Sequence, residues 1–274
     1  MASSTALDRS YPTTVKRTLN ARIIERHDLN ASMSVWRVAP DGPLSFAPGQ
    51  HVSFGVPTRH ATRGEEASVV LRPYSISSSA FDVMSLEFLI RRVEGGEATE
   101  ALWNLAPGDA IWMRDKAQGR FTSQLINPNK KLILLATGTG LGPFMSMIRT
   151  LKRREQLPPT LVVHGVRSSL ELVYFNELTQ LSKSMPSCGY VSCVTRDPHP
   201  ISGHRMVQGR ISALLESGRF AELTGFELNP NDTQIMLCGN PDMVADSCTV
   251  LEERYDCRVH TSSEPGNVFF ERYW

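Results

Sequence analysis

The chain has 274 residues, and its 29 Lys and Arg nearly balance its 28 Asp and Glu, giving a formal net charge of +1. Hydrophobic residues make up 41% and charged residues 21%, proportions that argue against a disordered, collagen-like or coiled-coil protein. The length favours about two domains. The near-neutral charge argues against a general nucleic-acid binder, which would be strongly basic.

The terminus and the cysteines indicate where the protein works. No apolar run approaches the roughly 18 residues of a membrane span, so we expect no membrane anchor. Residues 1–16 are polar and rich in Ser and Thr, which predicts a flexible arm; Arg9, Lys16 and Arg17 leave a targeting segment as the alternative. The five cysteines form no metal-binding spacing. They predict free thiols, a cytoplasmic setting and no bound metal.

Short apolar segments separated by turns dominate the first half of the chain, which we predict to be one domain over residues 17–126. Strands are predicted at 22–25, 34–38, 51–56 and 86–91. Turn signals lie at 40–43, 48–49 and 107–109. We predict one helix at 99–105 and an exposed polar loop at 58–67. Many short strands at this spacing predict a small antiparallel β-barrel.

From residue 127 to residue 274, strand-like and helix-like segments alternate. Strands are predicted at 132–136, 160–165, 190–195 and 234–238, and helices at 143–154, 169–183, 211–217 and 241–254. This order predicts a second domain, of α/β class, with a parallel sheet covered by helices on both faces. We place the linker at 123–130, where Asn127-Pro128-Asn129 interrupts regular structure.

A glycine-rich turn is the first motif that points to a ligand. It reads Gly138-Thr139-Gly140-Leu141-Gly142-Pro143, between a predicted strand and a predicted helix. Glycines without Cβ atoms let a diphosphate approach the backbone, and the helix start offers free N–H groups. The spacing differs from the usual dinucleotide fingerprint and from a Walker loop. A glycine turn without a ligand is the alternative.

Two further motifs lie in the first half. In Arg72-Pro73-Tyr74-Ser75, an Arg fork suits a phosphate and a Tyr ring suits a flat aromatic ligand. The stretch Gly95-Gly96-Glu97-Ala98-Thr99 places glycines before a helix start, which is a second candidate diphosphate site. Alone, the first motif fits a strand with a surface Arg and a core Tyr. The second alone fits a hairpin turn with a helix cap.

Four motifs in one order resemble the ferredoxin–NADP⁺ reductase superfamily. They are Arg72-x-Tyr74-Ser75, Gly96-x-x-Thr99, the turn from Gly138 to Pro143, and Cys238-Gly239-Asn240-Pro241-Asp242-Met243. The resemblance runs from about residue 16 to residue 274. The ending Phe270-Glu271-Arg272-Tyr273-Trp274 resembles the bacterial-type ferredoxin/flavodoxin–NADP⁺ reductases. It implies an antiparallel β-barrel FAD-binding domain, an α/β NADP(H)-binding domain, and a C-terminal tail that returns to the flavin.

The resemblance implies an FAD site in the barrel domain. Arg72 would pair with the diphosphate, Tyr74 would stack on the isoalloxazine, and Ser75 would bond the flavin edge near N5. The other barrel residues that would contact FAD are Pro73, Phe88, Leu89, Ile90, Gly96, Ala98 and Thr99. Trp274 would stack on the adenine, and its alternative role is to fill an apolar groove.

The resemblance also implies an NADP(H) site in the second domain. Thr139 and Gly140 would face the nicotinamide and diphosphate, and Cys238 would lie near the nicotinamide; a free Cys is otherwise most often a small buried hydrophobe. The following turn would contribute Gly239, Asn240 and Met243. The residues closest to the reaction would be Tyr74, Ser75, Cys238 and Glu271. Tyr273, Trp274 and Glu271 would form a gate over the flavin.

Charge distinguishes NADP from NAD. The 2′-phosphate of NADP prefers Arg partners, whereas the ribose of NAD prefers a carboxylate. Arg167 and Arg196 follow predicted strands and Arg210 precedes a predicted helix, at positions where the bacterial-type enzymes grip the phosphate. No acidic residue ends the strand before Arg167, so NADP(H) is favoured. Each Arg alone would fit a solvated surface charge.

The implied activity is hydride transfer between NADP(H) and FAD, with single electrons passing between FAD and ferredoxin or flavodoxin. The resemblance implies a monomer. Such partners are acidic, and a basic rim would help them dock; its candidates, which equally fit an ordinary solvated face, are Arg59, Arg63, Arg91, Arg92, Arg114 and Lys116. Alternatives are an oxygenase reductase component, a free-flavin reductase, or a non-enzymatic binding protein that keeps a degenerate copy of the fold.

Overall fold

Two β-sheets organise the computed structural model, which describes residues 15–57, 61–197 and 199–273. The strands of the first sheet are β1 Val15–Thr18, β2 Ala21–Asn30, β3 Met33–Pro40, β4 His51–Pro57, β5 Glu66–Ser75, β6 Leu86–Arg91 and β7 Ala110–Met113. They are antiparallel, in the order β1-β5-β4-β7-β2-β3-β6. A bridge between Ile76, just after β5, and Phe88 in β6 closes β5 to β6 into the predicted barrel.

Alternating side chains fill the barrel. Trp36, Phe54 and Phe88 are fully buried there, and the rings of Phe54 and Phe88 meet edge to face with centroids 4.5 Å apart. One helix, α1 Glu97–Trp103, packs Leu102 into the same core. The period-two pattern that predicted these strands is therefore the alternation between this core and the outside.

The second sheet is parallel and lies between two layers of helices. Its strands are β8 Lys131–Thr137, β9 Thr160–Ser168, β10 Cys188–Asp197, β11 Arg205–Gln208, β12 Thr233–Gly239 and β13 Val268–Arg272, in the order β11-β10-β9-β8-β12-β13. The helices are α2 Leu141–Arg153, α3 Phe175–Ser184, α4 Ile211–Glu216, α5 Phe220–Thr224 and α6 Pro241–Tyr255. This arrangement confirms the predicted α/β class.

The strand order reverses between β8 and β12, which are neighbours in the sheet. Open α/β sheets bind ligands in the crevice at such a reversal, beyond the carboxyl ends of the strands. Here the two following loops touch. A Cβ on Gly140 would overlap the carbonyl of Cys238, and a Cβ on Gly239, whose φ is 133°, would overlap the Thr137 hydroxyl. Only glycine allows this contact.

Several elements differ from the sequence prediction. The patterns did not predict the short strands β1, β7, β11 and β13 or the helix α5, and β5 begins inside the stretch 58–67 that was predicted as a loop. The single helix predicted at 169–183 is wrong. A 3₁₀ turn at Ser169–Glu171 is followed by a break, and α3 starts only at Phe175 because Tyr174 has a left-handed backbone with φ of 56°.

The junction between the sheets runs from Met113 to Lys131 and contains a 3₁₀ turn at Ser123–Leu125. The domain boundaries proposed after residues 16 and 126 stay predictions, and the predicted arm lies almost wholly outside the described residues. Within the described ranges, no helix is both long and apolar enough to cross a membrane.

Candidate functional site

A cleft of about 630 Å³ opens at the carboxyl ends of β8, β9 and β10. Six predicted nucleotide-binding residues line it, namely Thr139, Arg167, Arg196, Arg210, Asn240 and Met243. They come from the glycine turn, two strand ends, the residue before α4 and the start of α6. Residues distant in sequence therefore converge because parallel strands end at one edge of the sheet.

Among the residues that the structure describes, three guanidinium groups in the cleft have no carboxylate partner. Arg167, Arg196 and Arg210 are exposed, and none forms an ion pair with any residue in the described ranges. The Arg fork matches the geometry of a phosphate, and charge-assisted bonds to phosphate are among the stronger hydrogen bonds. The arrangement suits a ligand that carries a phosphate group besides a diphosphate.

Sequence reasoning named the motifs around the cleft but gave no individual nucleotide-binding role to its other lining residues. These are Arg91, Thr137, Gly138, Gly165, Val166, Glu171, Thr195, Gly209, Ile211, Ser212, Asp242 and Asp246. Arg91 was expected on a docking rim but faces the cleft, where its Nη2 lies 3.0 Å from Oε2 of Glu171. Its partner comes from the other domain, so only the three-dimensional arrangement reveals the pair.

Two side chains beside the glycine turn serve the fold. Asn240 caps α6, since its side-chain oxygen accepts hydrogen bonds from the amides of Asp242 and Met243. His164 is fully buried, and its Nε2 lies 3.3 Å from the Gly138 carbonyl. Burial lowers the pKa of His164 to about 4, so this imidazole adds no positive charge to the cleft at neutral pH.

The end of β5 carries the predicted flavin-contacting motif. Arg72 and Tyr74 lie opposite Phe54 and Val52 of β4 and so share one face of the barrel. The Tyr74 ring packs 4.9 Å from that of Phe54, and Arg72 donates to the Leu71 carbonyl at 2.7 Å. The Tyr74 hydroxyl is buried and has no hydrogen-bond partner among the described residues. A buried unpartnered hydroxyl is costly unless a ligand satisfies it.

Residues from both domains meet at the end of this motif. The Tyr273 hydroxyl donates to Ser75 Oγ at 2.7 Å, and the Tyr273 amide donates to the Gly239 carbonyl at 3.0 Å. Glu271 lies opposite Cys238 in the β12–β13 pairing. Burial, with a smaller contribution from Glu271, raises the pKa of the Cys238 thiol well above its usual value. This thiol is therefore neutral and is no nucleophile at ordinary pH.

The remaining predicted flavin contacts have mixed positions. Phe88 and Ile90 point into the barrel core, whereas Leu89 packs against the second domain. The Thr99 hydroxyl is satisfied internally, donating to the Gly96 carbonyl at 3.1 Å. Gly96 and Ala98 lie at the start of α1 and Pro73 is exposed. Their contacts with a cofactor stay predictions, and Trp274 lies outside the described residues.

A barrel followed by a parallel sheet with a phosphate-suited cleft defines a class, the flavin- and nicotinamide-dependent oxidoreductases. Two family models match accordingly: an oxidoreductase FAD-binding domain over residues 20–122 and an oxidoreductase NAD-binding domain over residues 134–249.

Named relatives specify the class further. The chain is 31% identical to the ferredoxin–NADP reductase of Azotobacter vinelandii over 261 residues, which is 92% of this chain and 95% of the relative. It is 30% identical to the flavodoxin/ferredoxin–NADP reductase of Escherichia coli over 231 residues, 84% of this chain and 89% of the relative. The chain belongs to the ferredoxin/flavodoxin–NADP reductase family.

A solved structure has the same fold. The ferredoxin NADP⁺ reductase of Neisseria gonorrhoeae, with bound FAD and NADP, superposes with a TM-score of 0.79 at 24% identity. The match covers 96% of this chain and 99% of the other. At that identity, the likeness supports the two-domain fold and carries no residue roles.

Glu271 gives a pH-dependent prediction. Burial raises the pKa of its carboxyl from 4.5 to about 7, so the folded chain keeps a proton that the unfolded chain releases between these values. Folding stability therefore falls as pH rises from about 5 to 7. Glu271→Gln removes this pH dependence. Relative to wild type, we expect its free energy of unfolding, measured with urea, to rise by up to about 3 kcal/mol over that pH range.

The matched control is Glu264→Gln, because Glu264 is exposed and, within the described ranges, only its backbone forms hydrogen bonds. The difference in free energy of unfolding between this control and wild type should stay constant with pH. If the same difference for Glu271→Gln is also constant from pH 5 to pH 8, burial does not hold the carboxyl neutral.

Proposed function

We propose that this protein is an FAD-dependent reductase that moves electrons between NADP(H) and an acidic electron carrier, ferredoxin or flavodoxin. The observation that carries the proposal is the position of the cleft next to the residues predicted to contact the flavin. Its three arginines, which have no ion-pair partner in the described part of the chain, and the glycine turn occupy the sheet edge at which Ser75, Cys238 and Tyr273 meet. The names of the relatives support the same activity.

FAD, when bound, supplies the exchange between a two-electron hydride and single electrons. Arg72 would neutralise its diphosphate, and the buried Tyr74 hydroxyl would gain the partner that it lacks. Ser75, at the end of β5, would donate to the flavin edge. The start of α1 offers amides that have no partner within the helix, so Gly96, Ala98 and Thr99 suit the second side of the diphosphate.

In the cleft, Arg167, Arg196 and Arg210 would hold the 2′-phosphate of NADP(H), and Thr139 and Gly140 would orient the nicotinamide end. Cys238 is neutral and fully buried, so it would present an uncharged, water-excluding surface. The planar guanidinium fork matches the geometry of a phosphate, so three such groups suit the extra phosphate of NADP(H).

Tyr273 would act as the gate. It donates to Ser75 and lies against Cys238, so it occupies the approach between the barrel and the cleft. One neutral hydrogen bond contributes about 1 kcal/mol net, which a binding dinucleotide can offset. Glu271, two residues earlier in the tail, would be a neutral polar partner when protonated. Trp274 would complete the gate.

Docking of the carrier would use few of the predicted basic residues. Arg63 pairs with Asp41, Arg92 with Glu100 and Arg91 with Glu171, and Arg59 lies outside the described residues. Arg114 and Lys116 have no carboxylate partner in the described ranges, so we propose them as contacts for an acidic carrier. A monomeric state and a cytoplasmic location stay predictions.

Reduction by the two nicotinamide coenzymes tests the activity. Under anaerobic conditions, we expect NADPH to bleach the visible absorbance of the FAD-loaded protein rapidly and NADH to do so slowly. The bleached protein should then reduce added ferredoxin or flavodoxin. A protein that binds no added FAD would instead support the non-enzymatic binding module, and reduction of free flavin alone would support the free-flavin reductase.

Coenzyme choice should depend on the cleft arginines. The double variant Arg196→Ala, Arg210→Ala loses two charge-assisted contacts to the 2′-phosphate, and we expect the KM for NADPH to rise about tenfold or more. The KM for NADH should stay nearly unchanged in steady-state assays. Arg219→Ala is the control, because Arg219 pairs with Glu222 away from the cleft. Equal increases for both coenzymes would contradict the phosphate assignment.

FAD retention should depend on the β5 motif. Arg72→Ala and Tyr74→Ala each remove a contact to FAD, and we expect the dissociation constant to rise about tenfold, measured from flavin absorbance after gel filtration. Arg17→Ala is the matched control, since Arg17 also donates to the preceding carbonyl but lies on β1 against Trp112. If both site variants keep FAD as wild type does, the assignment is wrong.

A further inference from the structure

Strand β6 presents a separate side chain pattern to each domain. Phe88 and Ile90 point into the barrel core, whereas Glu87, Leu89 and Arg91 point towards the α/β domain. Leu89 joins the core cluster that contains Phe144 and Met145 of α2. The strand that would line the flavin is therefore also the strand on which the second domain rests.

Glu87 is the centre of this contact. It is buried, and its Oε1 accepts from Arg149 Nη1 at 2.6 Å and from the Tyr174 hydroxyl at 2.8 Å, both in the α/β domain. Its Oε2 accepts from Arg37 Nη2 at 3.1 Å within the barrel. Burial opposes ionisation, but these partners hold the pKa of Glu87 below its ordinary value. The carboxylate is therefore charged and fully paired.

Arg149 uses every edge of its guanidinium in the same contact. Nη1 also donates to the Ser77 carbonyl at 2.9 Å, and Nε and Nη2 form a fork on Glu177 at 2.8 and 2.6 Å. The guanidinium lies over the Tyr174 ring, 4.7 Å from its centroid. A planar fork with this many bonds has one orientation, so it fixes α2 relative to the barrel.

The backbone of Tyr174 has a conformation that residues other than glycine seldom adopt. Its φ of 56° and ψ of 17° lie in the left-handed region. Its hydroxyl lies 3.0 Å from Ser77 Oγ as well as bonding Glu87. Such a backbone persists where the surroundings over-determine it, commonly next to functional sites. The cross-domain bonds of the Tyr174 side chain are that constraint here.

We propose that Arg149, Glu87 and Tyr174 are positioning residues for hydride transfer, which set the nicotinamide cleft at its working distance from the flavin. This inference rests on the proposed function. The helix α2 that carries Arg149 begins at the glycine turn of the cleft. On the barrel side, Ser77 follows Ser75 by two residues and Glu87 directly precedes Phe88. The contact thus joins the segment that would hold NADP(H) to both segments that would hold FAD.

The rate of hydride transfer should be sensitive to this interdomain contact, because the rate depends on the distance between the reacting atoms. Hydride transfer needs the reacting atoms about 3–3.5 Å apart, and a displacement of about 1 Å can slow a reaction by about a hundredfold. None of the three residues lines the cleft. Loss of this interdomain contact should therefore slow hydride transfer while leaving the affinity for each cofactor largely intact.

The experiment compares Arg149→Met with wild type as FAD-loaded proteins in anaerobic stopped-flow. We expect the limiting rate of flavin reduction by NADPH to fall about tenfold or more, with the dissociation constants of NADPH and FAD within about twofold. The isotope effect with NADPH deuterated at C4 should increase. Reoxidation of photoreduced protein by ferricyanide, which needs no nicotinamide alignment, should keep its wild-type rate. Arg219→Met is the matched control and should behave as wild type.

A second variant is needed because Arg149→Met leaves the buried Glu87 without its charged partner. Tyr174→Phe keeps the ring under Arg149 and removes only the hydroxyl, so it should slow reduction less than Arg149→Met does, with the same pattern in the other measurements. Unchanged limiting rates in both variants would overturn the positioning role. So would slowing that only follows weaker binding of FAD or NADPH, or equal slowing of ferricyanide reduction. If wild type itself is not reduced by NADPH, the proposed function fails instead.

Discussion

The backbone contact between the ends of β8 and β12 is the constraint on which the site depends. Gly140 lies against the Cys238 carbonyl and Gly239 against the Thr137 hydroxyl, with no space for a Cβ at either glycine. The glycine turn and the Cys238 thiol therefore share one point of the sheet edge. Because β13 pairs with β12, the tail is carried to the same point, and Tyr273 reaches Ser75 of the barrel.

The barrel covers part of the α/β domain next to the carboxyl-end edge of its parallel sheet. Parallel sheets leave the carboxyl ends of their strands uncovered, and here β6 and the residues after β5 close against the α/β domain through Leu89, Glu87 and Ser77. Breaking a buried ion pair by removing one partner is costly, whereas a pair as such adds little stability over an apolar contact. The Glu87–Arg149 pair is thus better understood as a device of orientation than of stability.

The sequence predicted what local patterns determine. Strand β6 was predicted with its observed bounds, and the glycine turn was placed between a strand and a helix as found. The strands β7, β11 and β13 have four or five residues each, and their pairing partners rather than their own residues stabilise them. The break at Tyr174 depends on Glu87, 87 residues earlier. No local pattern contains such a contact, and the same reason hid the Arg91–Glu171 pair.

The strand-end rule nevertheless located two of the cleft residues, because it depends on chain order alone. Arg167 and Arg196 were placed where predicted strands end, Arg210 was placed before a predicted helix, and the family resemblance assigned all three to the phosphate. All three line the cleft. His164 beneath the glycine turn is neutral because burial lowers its pKa to about 4. On the flavin side, burial raises the pKa of Glu271 to about 7. A pH change near neutrality would therefore change the charge of Glu271 in the tail and leave His164 neutral.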